Sequence, residues 1–140
     1  MNNVSDLKKV LLIDDDEVFL TIAAKILQPK YEVIVTSSCD GALKKIADGM
    51  IPDLILLDII MPEINGWETY KILKGISVFN DVQIIFVTSF NSIINKLCAH
   101  EIGASGYITK PVEKDFLLKR IEGIFKDQIN LRRFSNENQI

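Results

Sequence analysis

The feature that most constrains the fold is an alternation of short apolar runs with longer amphipathic stretches along the whole chain. The apolar runs are residues 10–13, 33–35, 54–57, 84–87 and 107–108. They are rich in β-branched residues and lack polar alternation, as expected of strands covered on both faces. This alternation is typical of β-α units around a parallel sheet, so it predicts one α/β domain.

The stretches between the runs carry apolar residues at spacings of three and four, which predicts helices with one buried stripe each. The first helix is predicted to bury Val18, Ile22 and Ile26. The fourth is predicted to run over residues 92–102 and to end at Gly103, a favourable residue for a helix C-terminus. A fifth helix is predicted to begin just after Pro111.

The fifth helix keeps its apolar stripe longer than five β-α units require. The stripe consists of Leu117, Ile121, Phe125 and Ile129. We predict a domain over residues 1–126 and an extension over residues 127–140, made of the end of this helix and a polar tail. The extension is interpreted either as a fraying terminal helix or as a junction to an output domain or partner chain.

Charge and hydropathy exclude several classes of function. The net charge is −3, from 19 acidic and 16 basic residues, and no basic run suits a nucleic-acid backbone. The longest apolar runs are of strand length, far short of the roughly 20 residues of a membrane span. Two cysteines and one histidine show no zinc-ligand spacing. With no secretory signal pattern at the N-terminus, we predict a cytoplasmic protein without direct nucleic-acid or membrane binding.

Polar residues follow the apolar runs where a ligand site of an open α/β sheet is expected, outside the carboxyl ends of the strands. These residues are Asp14, Asp15 and Asp16 after the first run, Asp58 after the third, Thr88 and Ser89 after the fourth, and Lys110 after the fifth. Asp16, together with Glu17, is interpreted as the start of the first helix. The others are predicted to converge at one edge of the sheet.

Converging carboxylates need a positive partner, because unit charges about 4 Å apart repel by a few kcal/mol at an effective dielectric constant near 20. Lys110 is one candidate, and a hard divalent cation is the other. Acidic groups with a lysine and a threonine indicate a phosphoryl-transfer site. There the cation and Lys110 would neutralise phosphoryl oxygens, Thr88 would donate a hydrogen bond, and a carboxylate would attack in line.

Four motifs in order resemble those of response-regulator receiver domains of two-component signalling, of the chemotaxis-Y type. They are LIDDDE at residues 12–17, DIIMP at 58–62, VTS at 87–89 and YITKP at 107–111. The resemblance covers about residues 8–126. It implies a doubly wound, flavodoxin-like (βα)5 sandwich, with a five-stranded parallel sheet in the order 2-1-3-4-5 and helices on both faces.

Carried over position by position, the resemblance implies that Asp58 is the phosphoacceptor. It implies a Mg²⁺ site, with Mn²⁺ as an alternative, formed by Asp14, Asp15, Asp58 and the backbone carbonyl of Ile60. The phosphoryl donor would be a histidine of a sensor kinase or of a histidine phosphotransfer protein. The chain would be a signalling phosphoacceptor rather than an enzyme.

The resemblance also implies a switch. Thr88 would be its hydroxyl, Lys110 would contact the phosphoryl group, Tyr107 would turn inward on activation, and the bond between Lys110 and Pro111 would be cis. The surface of the fourth helix, fifth strand and fifth helix would then meet a downstream target, an output domain or a second copy of the chain.

Two apolar residues depart from the polarity often found beside such a site. Ile60 and Phe90 stand two residues beyond Asp58 and Thr88, respectively. Their bulk should hinder an attacking water, so we predict slow autodephosphorylation, on the order of hours rather than seconds.

Two alternative functions follow from the same residues. The run of acids after the first strand also resembles the nucleophile loop of haloacid-dehalogenase-type phosphatases, with Asp14 as nucleophile. That interpretation leaves Asp58 unexplained and lacks a further acidic pair for Mg²⁺. The second alternative is a receiver-like interaction module that no longer needs phosphate.

Overall fold

A computed structural model describes the backbone of residues 7–137 and the side chains of residues 7–129. Strands and helices alternate strictly along it. The strands are β1 (Lys9–Ile13), β2 (Glu32–Thr36), β3 (Leu54–Leu57), β4 (Gln83–Thr88) and β5 (Gly106–Thr109). The helices are α1 (Glu17–Leu27), α2 (Cys39–Ala47), α3 (Gly66–Lys74), α4 (Ile93–Glu101) and α5 (Lys114–Glu137). All five predicted strands lie within the observed ones.

The strands form one parallel sheet in the order β2-β1-β3-β4-β5, which confirms the predicted topology. The chain passes from β1 outward to β2 and then returns to the other side of β1 as β3. The order therefore reverses next to β1, and the carboxyl ends of β1 and β3 flank the crevice where open α/β sheets bind ligands.

Alternate residues of the central strands point into two separate cores, one on each face of the sheet. Val10 and Leu12 pack with α1 and α5. Leu11 and Ile13 pack with α2, α3 and α4. Because both faces are covered, β1 and β3 are apolar at nearly every position, which is the pattern the sequence shows. The helices lie on both faces, as predicted.

The predicted buried stripe of α1 is wrong at Val18 and Ile22, whereas the third predicted residue, Ile26, is half-buried and packs against the core. Val18 is 68% exposed and Ile22 is 53% exposed, whereas the helix buries Leu20, Ala23 and Leu27 against the sheet and α5. Both sets satisfy a spacing of three and four, so periodicity could not choose between them. Packing against α5 decides which set faces the core.

The last helix, α5, has 24 residues and is about 36 Å long. Leu117, Ile121 and Phe125 are buried, while Ile129 is exposed. The helix continues through Glu137, into the segment expected to be a polar tail, and residues 138–140 lie outside the described part. The division near residue 126 stays a prediction. No helix within residues 7–137 combines the length and apolar character that crossing a bilayer demands.

Candidate functional site

Asp58 directly follows β3 and is only 6% exposed. Its backbone N–H donates to the Ile13 carbonyl at 3.0 Å, which anchors it beside β1. Its Oδ1 accepts hydrogen bonds from the N–H groups of Ile59 at 2.7 Å and Ile60 at 3.4 Å. One carboxylate oxygen is therefore held by the loop, and Oδ2 is left for other partners.

Three carboxylates meet at this crevice. One oxygen each of Asp14, Asp15 and Asp58 lies within 4.8 Å of the other two. Asp14 is buried, at 1% exposure, and its Oδ1 accepts from the Asp16 N–H at 2.9 Å. The Asp16 side chain instead caps α1, accepting from two N–H groups at 3.1 and 3.2 Å. Asp16 thus has the helix-capping role predicted for it.

Lys110 reaches into the same cluster from the end of β5. Its Nζ lies 2.7 Å from Asp14 Oδ2 and 3.6 Å from Asp58 Oδ2. The ammonium also lies 4.3 Å from the ring centroid of Phe19, a cation–π distance. The peptide bond between Lys110 and Pro111 is cis. A cation and two carboxylates from three different strand ends are thereby brought into contact.

The surroundings of Asp14 alter its acidity. The pKa of the Asp14 carboxyl is raised from 3.8 to about 6, chiefly by burial and to a smaller extent by the negative charge of Asp58. The nearby Lys110 ammonium and the hydrogen bond from the Asp16 N–H act in the opposite direction. Desolvation prevails because Lys110 is a single cation shared between two carboxylates. The cluster therefore favours taking up further positive charge.

The donor set fits a hard divalent cation. It consists of carboxylate oxygens, which Mg²⁺ prefers, without sulfur or imidazole ligands. Asp14 Oδ2 is buried and accepts no hydrogen bond of suitable geometry within the described residues, although Lys110 is near. Asp15 is exposed, which leaves an approach for the waters that Mg²⁺ usually keeps.

Thr88 ends β4 and is fully buried. Its Oγ1 accepts from the Phe90 N–H at 3.4 Å, and its carbonyl accepts from the Lys110 N–H at 2.8 Å. The ends of β4 and β5 are therefore tied together beside the acidic cluster. A shift of Thr88 would be transmitted to the loop that carries Phe90.

Tyr107 of β5 is half-buried. Its hydroxyl donates to the Phe90 carbonyl at 2.5 Å, and its ring packs against the core on that face. Burial raises the pKa of the Tyr107 hydroxyl, while a side-chain hydrogen bond with Asn95 of α4 lowers it. The predicted switch residues Thr88 and Tyr107 thus both contact Phe90.

Sequence reasoning missed the role of Gly66. A Cβ atom at this position would lie 2.1 Å from the Asp58 carbonyl oxygen and 2.6 Å from Ile59 Cα. Only glycine lets α3 begin so close to the loop that carries Asp58, and the Gly66 N–H donates to the Ile59 carbonyl at 2.8 Å. In a sequence, an Asn-Gly pair is typical of a turn and does not reveal such a close contact. In the structure, Asn65 caps α3 by accepting from the Glu68 N–H.

An apolar groove of about 410 Å³ adjoins the cluster. It runs between α1 and the loop that joins β5 to α5, and Lys110 lies at its edge. Its lining includes Val18, Ile22, Pro111 and Val112. The exposed apolar residues of α1 therefore border the site instead of filling the core.

A doubly wound sheet that carries an acidic cluster and a lysine outside the carboxyl ends of its strands is typical of signalling domains that accept a phosphoryl group. A family model described as the response regulator receiver domain matches residues 10–122. The chain therefore belongs to the response regulator receiver domain family. It is a receiver domain of two-component signal transduction, and receiver domains bind Mg²⁺ at an acidic cluster of this kind.

Relatives agree with this assignment. The chain is 35% identical to the protein PilG of Pseudomonas aeruginosa over 124 residues, covering 87% of this chain and 90% of PilG. It is 31% identical to the transcriptional regulatory protein CpxR of Escherichia coli, covering 86% of this chain but only 50% of CpxR. A CheY-like receiver domain of Methanospirillum hungatei has a TM-score of 0.78 at 31% identity, covering 89% of this chain and 98% of that one.

Neither alternative function is favoured. A dehalogenase-type loop would need the second acid of its motif at the site, whereas Asp16 is occupied as the cap of α1. An interaction module without phosphate would not need the buried contacts among Asp14, Asp58 and Lys110. Receiver-domain response regulators are signalling proteins.

Proposed function

We propose that this receiver accepts a phosphoryl group on Asp58 from a phosphohistidine of a sensor kinase or a histidine phosphotransfer protein. The observation that carries the proposal is the position of Asp58 Oδ2, 3.6 Å from Lys110 Nζ while Oδ1 is held by the Ile59 N–H. Oδ2 would attack phosphorus in line. The new O–P bond forms as the P–N bond to the donor imidazole breaks, and the imidazole keeps the electron pair.

Asp14, Asp15, Asp58 and the carbonyl of Ile60 would hold a Mg²⁺ ion, with Mn²⁺ as an alternative. The carboxylate cluster within 4.8 Å supports this assignment. When bound, the ion would neutralise charge on the phosphoryl oxygens. Lys110 would balance the remaining charge, and the Phe19 ring beside its ammonium restricts where that ammonium can move.

Mg²⁺ binding should weaken as the pH falls through about 6. The folded-state pKa of Asp14 is about 6, above its ordinary 3.8, so a proton competes with the metal for this carboxylate. We expect about tenfold weaker binding at pH 5 than at pH 7, measured by titrating the fluorescence of Trp67, which packs on Phe86.

Without metal, the raised pKa of Asp14 makes the fold more stable at low pH than at neutral pH. The folded state holds the Asp14 proton more tightly than the unfolded state. Asp14 therefore contributes most stability below about pH 4, and that contribution is lost as the pH rises through 6.

Equal Mg²⁺ affinity at pH 5 and pH 7 would contradict the assignment of Asp14 as a ligand.

Thr88 and Lys110 would contact the new phosphoryl oxygens and so shift an existing equilibrium between two conformations. The contacts of Thr88 and Tyr107 with Phe90 support a path to α4, β5 and α5. Beryllofluoride with Mg²⁺ mimics the phosphoryl group and should change Trp67 fluorescence in the native chain, but not in Asp58→Asn. An unchanged signal in the native chain would favour the phosphate-independent module.

The acyl phosphate should persist for hours. Ile60 and Phe90 are large, exposed apolar residues on the two loops next to Asp58 and Thr88. They would obstruct a water that attacks phosphorus. Loss of radiolabel from the phosphorylated chain measures this lifetime, and Phe90→Ala should shorten it several-fold. A native half-life of seconds would contradict the prediction.

The donor would approach over the apolar groove, since Val18 and Ile22 offer exposed apolar surface beside Lys110.

The chain would act in the cytoplasm, with self-phosphotransfer and slow autodephosphorylation as its only chemistry and without direct nucleic-acid contact. Residues 127–140 would lead to an output domain or a partner. The chain spans about half the length of CpxR and of the PhoP regulator of Bacillus subtilis, so the output of the whole protein belongs to this proposal.

A further inference from the structure

The ammonium group of Lys110 has an aromatic neighbour as well as two acidic ones. Its Nζ lies 2.7 Å from Asp14 Oδ2, 3.6 Å from Asp58 Oδ2 and 4.3 Å from the ring centroid of Phe19. The two carboxylates follow β1 and β3, whereas Phe19 belongs to the first turn of α1. The ammonium is therefore held by two kinds of attraction, to opposite charge and to the negative face of an aromatic ring.

The surroundings of the Lys110 ammonium strengthen its attraction to the ring. The Lys110 side chain is only 15% exposed, so little water competes for the ammonium, and cation–π attraction grows when the cation is desolvated. Phe19 is itself fixed in place. Its N–H donates to Asp16 Oδ1 at 3.2 Å, and its side chain packs, partly buried, against the core formed by α1, the sheet and α5.

The contact between Lys110 and Asp14 is close but not directional. Although Nζ lies 2.7 Å from Asp14 Oδ2, that oxygen accepts no hydrogen bond of suitable geometry within the described residues. Charge attraction therefore holds the ammonium without committing its N–H groups to Asp14. The ring acts in the same way, because its attraction depends on the position of the cation over the face and not on the direction of an N–H bond.

We propose that Phe19 is a positioning residue for phosphoryl transfer. Its ring keeps the Lys110 ammonium within reach of Asp58 Oδ2, while the N–H groups stay free to turn towards a phosphoryl oxygen. A charge that is already in place when the transition state forms lowers the barrier most. Without the ring, the long lysine side chain would gain rotamers, including ones directed into the apolar groove that both residues line.

The inference rests on the proposed function, to which it adds a residue that acts through Lys110 and does not touch the phosphoryl group. Phe19 also lines the apolar groove over which a protein donor would approach. The test therefore uses acetyl phosphate and phosphoramidate, which are too small to span the groove. Asp58 Oδ2 forms the new bond to phosphorus as acetate or ammonia leaves with the electron pair of the broken bond.

Phosphoryl uptake from these two donors with Mg²⁺, followed by intact-protein mass spectrometry, tests the proposal. Phe19→Leu keeps an apolar side chain but removes the ring face, and we expect the uptake rate to fall about three- to tenfold with both donors. Phe19→Tyr keeps the ring face and should bring the rate back to within about twofold of the native rate.

Ring fluorination separates this attraction from packing. Phenylalanines with one, two or three ring fluorines at position 19 keep nearly the same shape, but each fluorine withdraws negative charge from the ring face, so uptake should slow in that order. The control is the trifluorinated residue at position 125. Phe125 also faces a lysine, with Lys8 Nζ 6.0 Å from its ring centroid, but Lys8 precedes β1 whereas Asp14 follows it, and uptake should be unchanged.

Several outcomes overturn the proposal. They are a native uptake rate in Phe19→Leu, a fluorinated series without a trend, or an equal loss on fluorination of Phe125. A loss seen with a phosphorylated histidine phosphotransfer protein but with neither small donor also overturns it, because Phe19 would then act only through the groove.

Asp58→Asn separates this proposal from the proposed function. If uptake is lost in Asp58→Asn but is native in every Phe19 variant, Asp58 remains the phosphoacceptor and the role of Phe19 is overturned. No uptake by the native chain from either small donor overturns both.

Discussion

Asp58→Asn will take up no phosphoryl group. On treatment with acetyl phosphate and Mg²⁺, the native chain should gain about 80 Da, the mass of one phosphoryl group, and the variant should gain nothing. The amide keeps the size of the carboxylate and can still accept the Ile59 N–H, but it offers no nucleophilic oxygen anion. Intact-protein mass spectrometry measures the uptake, and any residual rate in the variant should lie at least about a hundredfold below the native rate, at background.

Asp16→Asn is the matched control. It removes one negative charge from the loop between β1 and α1, which borders the site, but asparagine caps a helix as well as aspartate does, and Asp16 caps α1. This variant should be phosphorylated at the native rate. Uptake that survives Asp58→Asn and disappears in Asp14→Asn would make Asp14 the nucleophile and revive the dehalogenase-type alternative.

Gly66→Ala will destabilise the fold by about 3 kcal/mol or more, the largest effect expected of any single methyl group here. The new Cβ would lie 2.1 Å from the Asp58 carbonyl oxygen and 2.6 Å from Ile59 Cα. Both are backbone atoms tied to β1 and α3, so no side chain can move aside. Urea denaturation monitored by circular dichroism measures the loss, and displacement of Asp58 should also slow phosphorylation of the folded fraction.

Gly123→Ala provides the comparison. Gly123 is a helical residue of α5, and a Cβ atom there would meet nothing within 4 Å. Alanine is a better helix former than glycine, so this variant should gain about 0.5–1 kcal/mol of unfolding free energy. If Gly66→Ala were as stable as the native chain, the close approach of α3 to Asp58 would not exist in solution.

Local pattern was sufficient for the strands and for both ends of α4. The apolar runs mark all five strands because a strand covered on both faces can be apolar at every position. Ser92, whose side chain caps α4, and Gly103, with φ of +92°, bound that helix where they were predicted to. Local pattern failed where two solutions share one periodicity, as with the two apolar stripes of α1, and it missed the short 3-10 turn Ser77–Phe79 that buries Phe79.

The sequence by itself determined which residue types stand at the strand ends: acids after β1 and β3, Thr88 after β4 and Lys110 after β5. It also determined, through the order of its motifs, which family they match. These properties are local, because an apolar run and the polar residue that ends it are contiguous in the chain.

Only the tertiary structure decided how those residues act on one another. Three features depend on elements far apart in the chain: the distance from Lys110 to Asp14, the raised pKa of Asp14 and the approach of Gly66 to Asp58. Electrostatic energies vary with distance and desolvation, and steric limits vary over tenths of an ångström. Both are set by how helices pack on the sheet, which residue spacing along the chain does not encode.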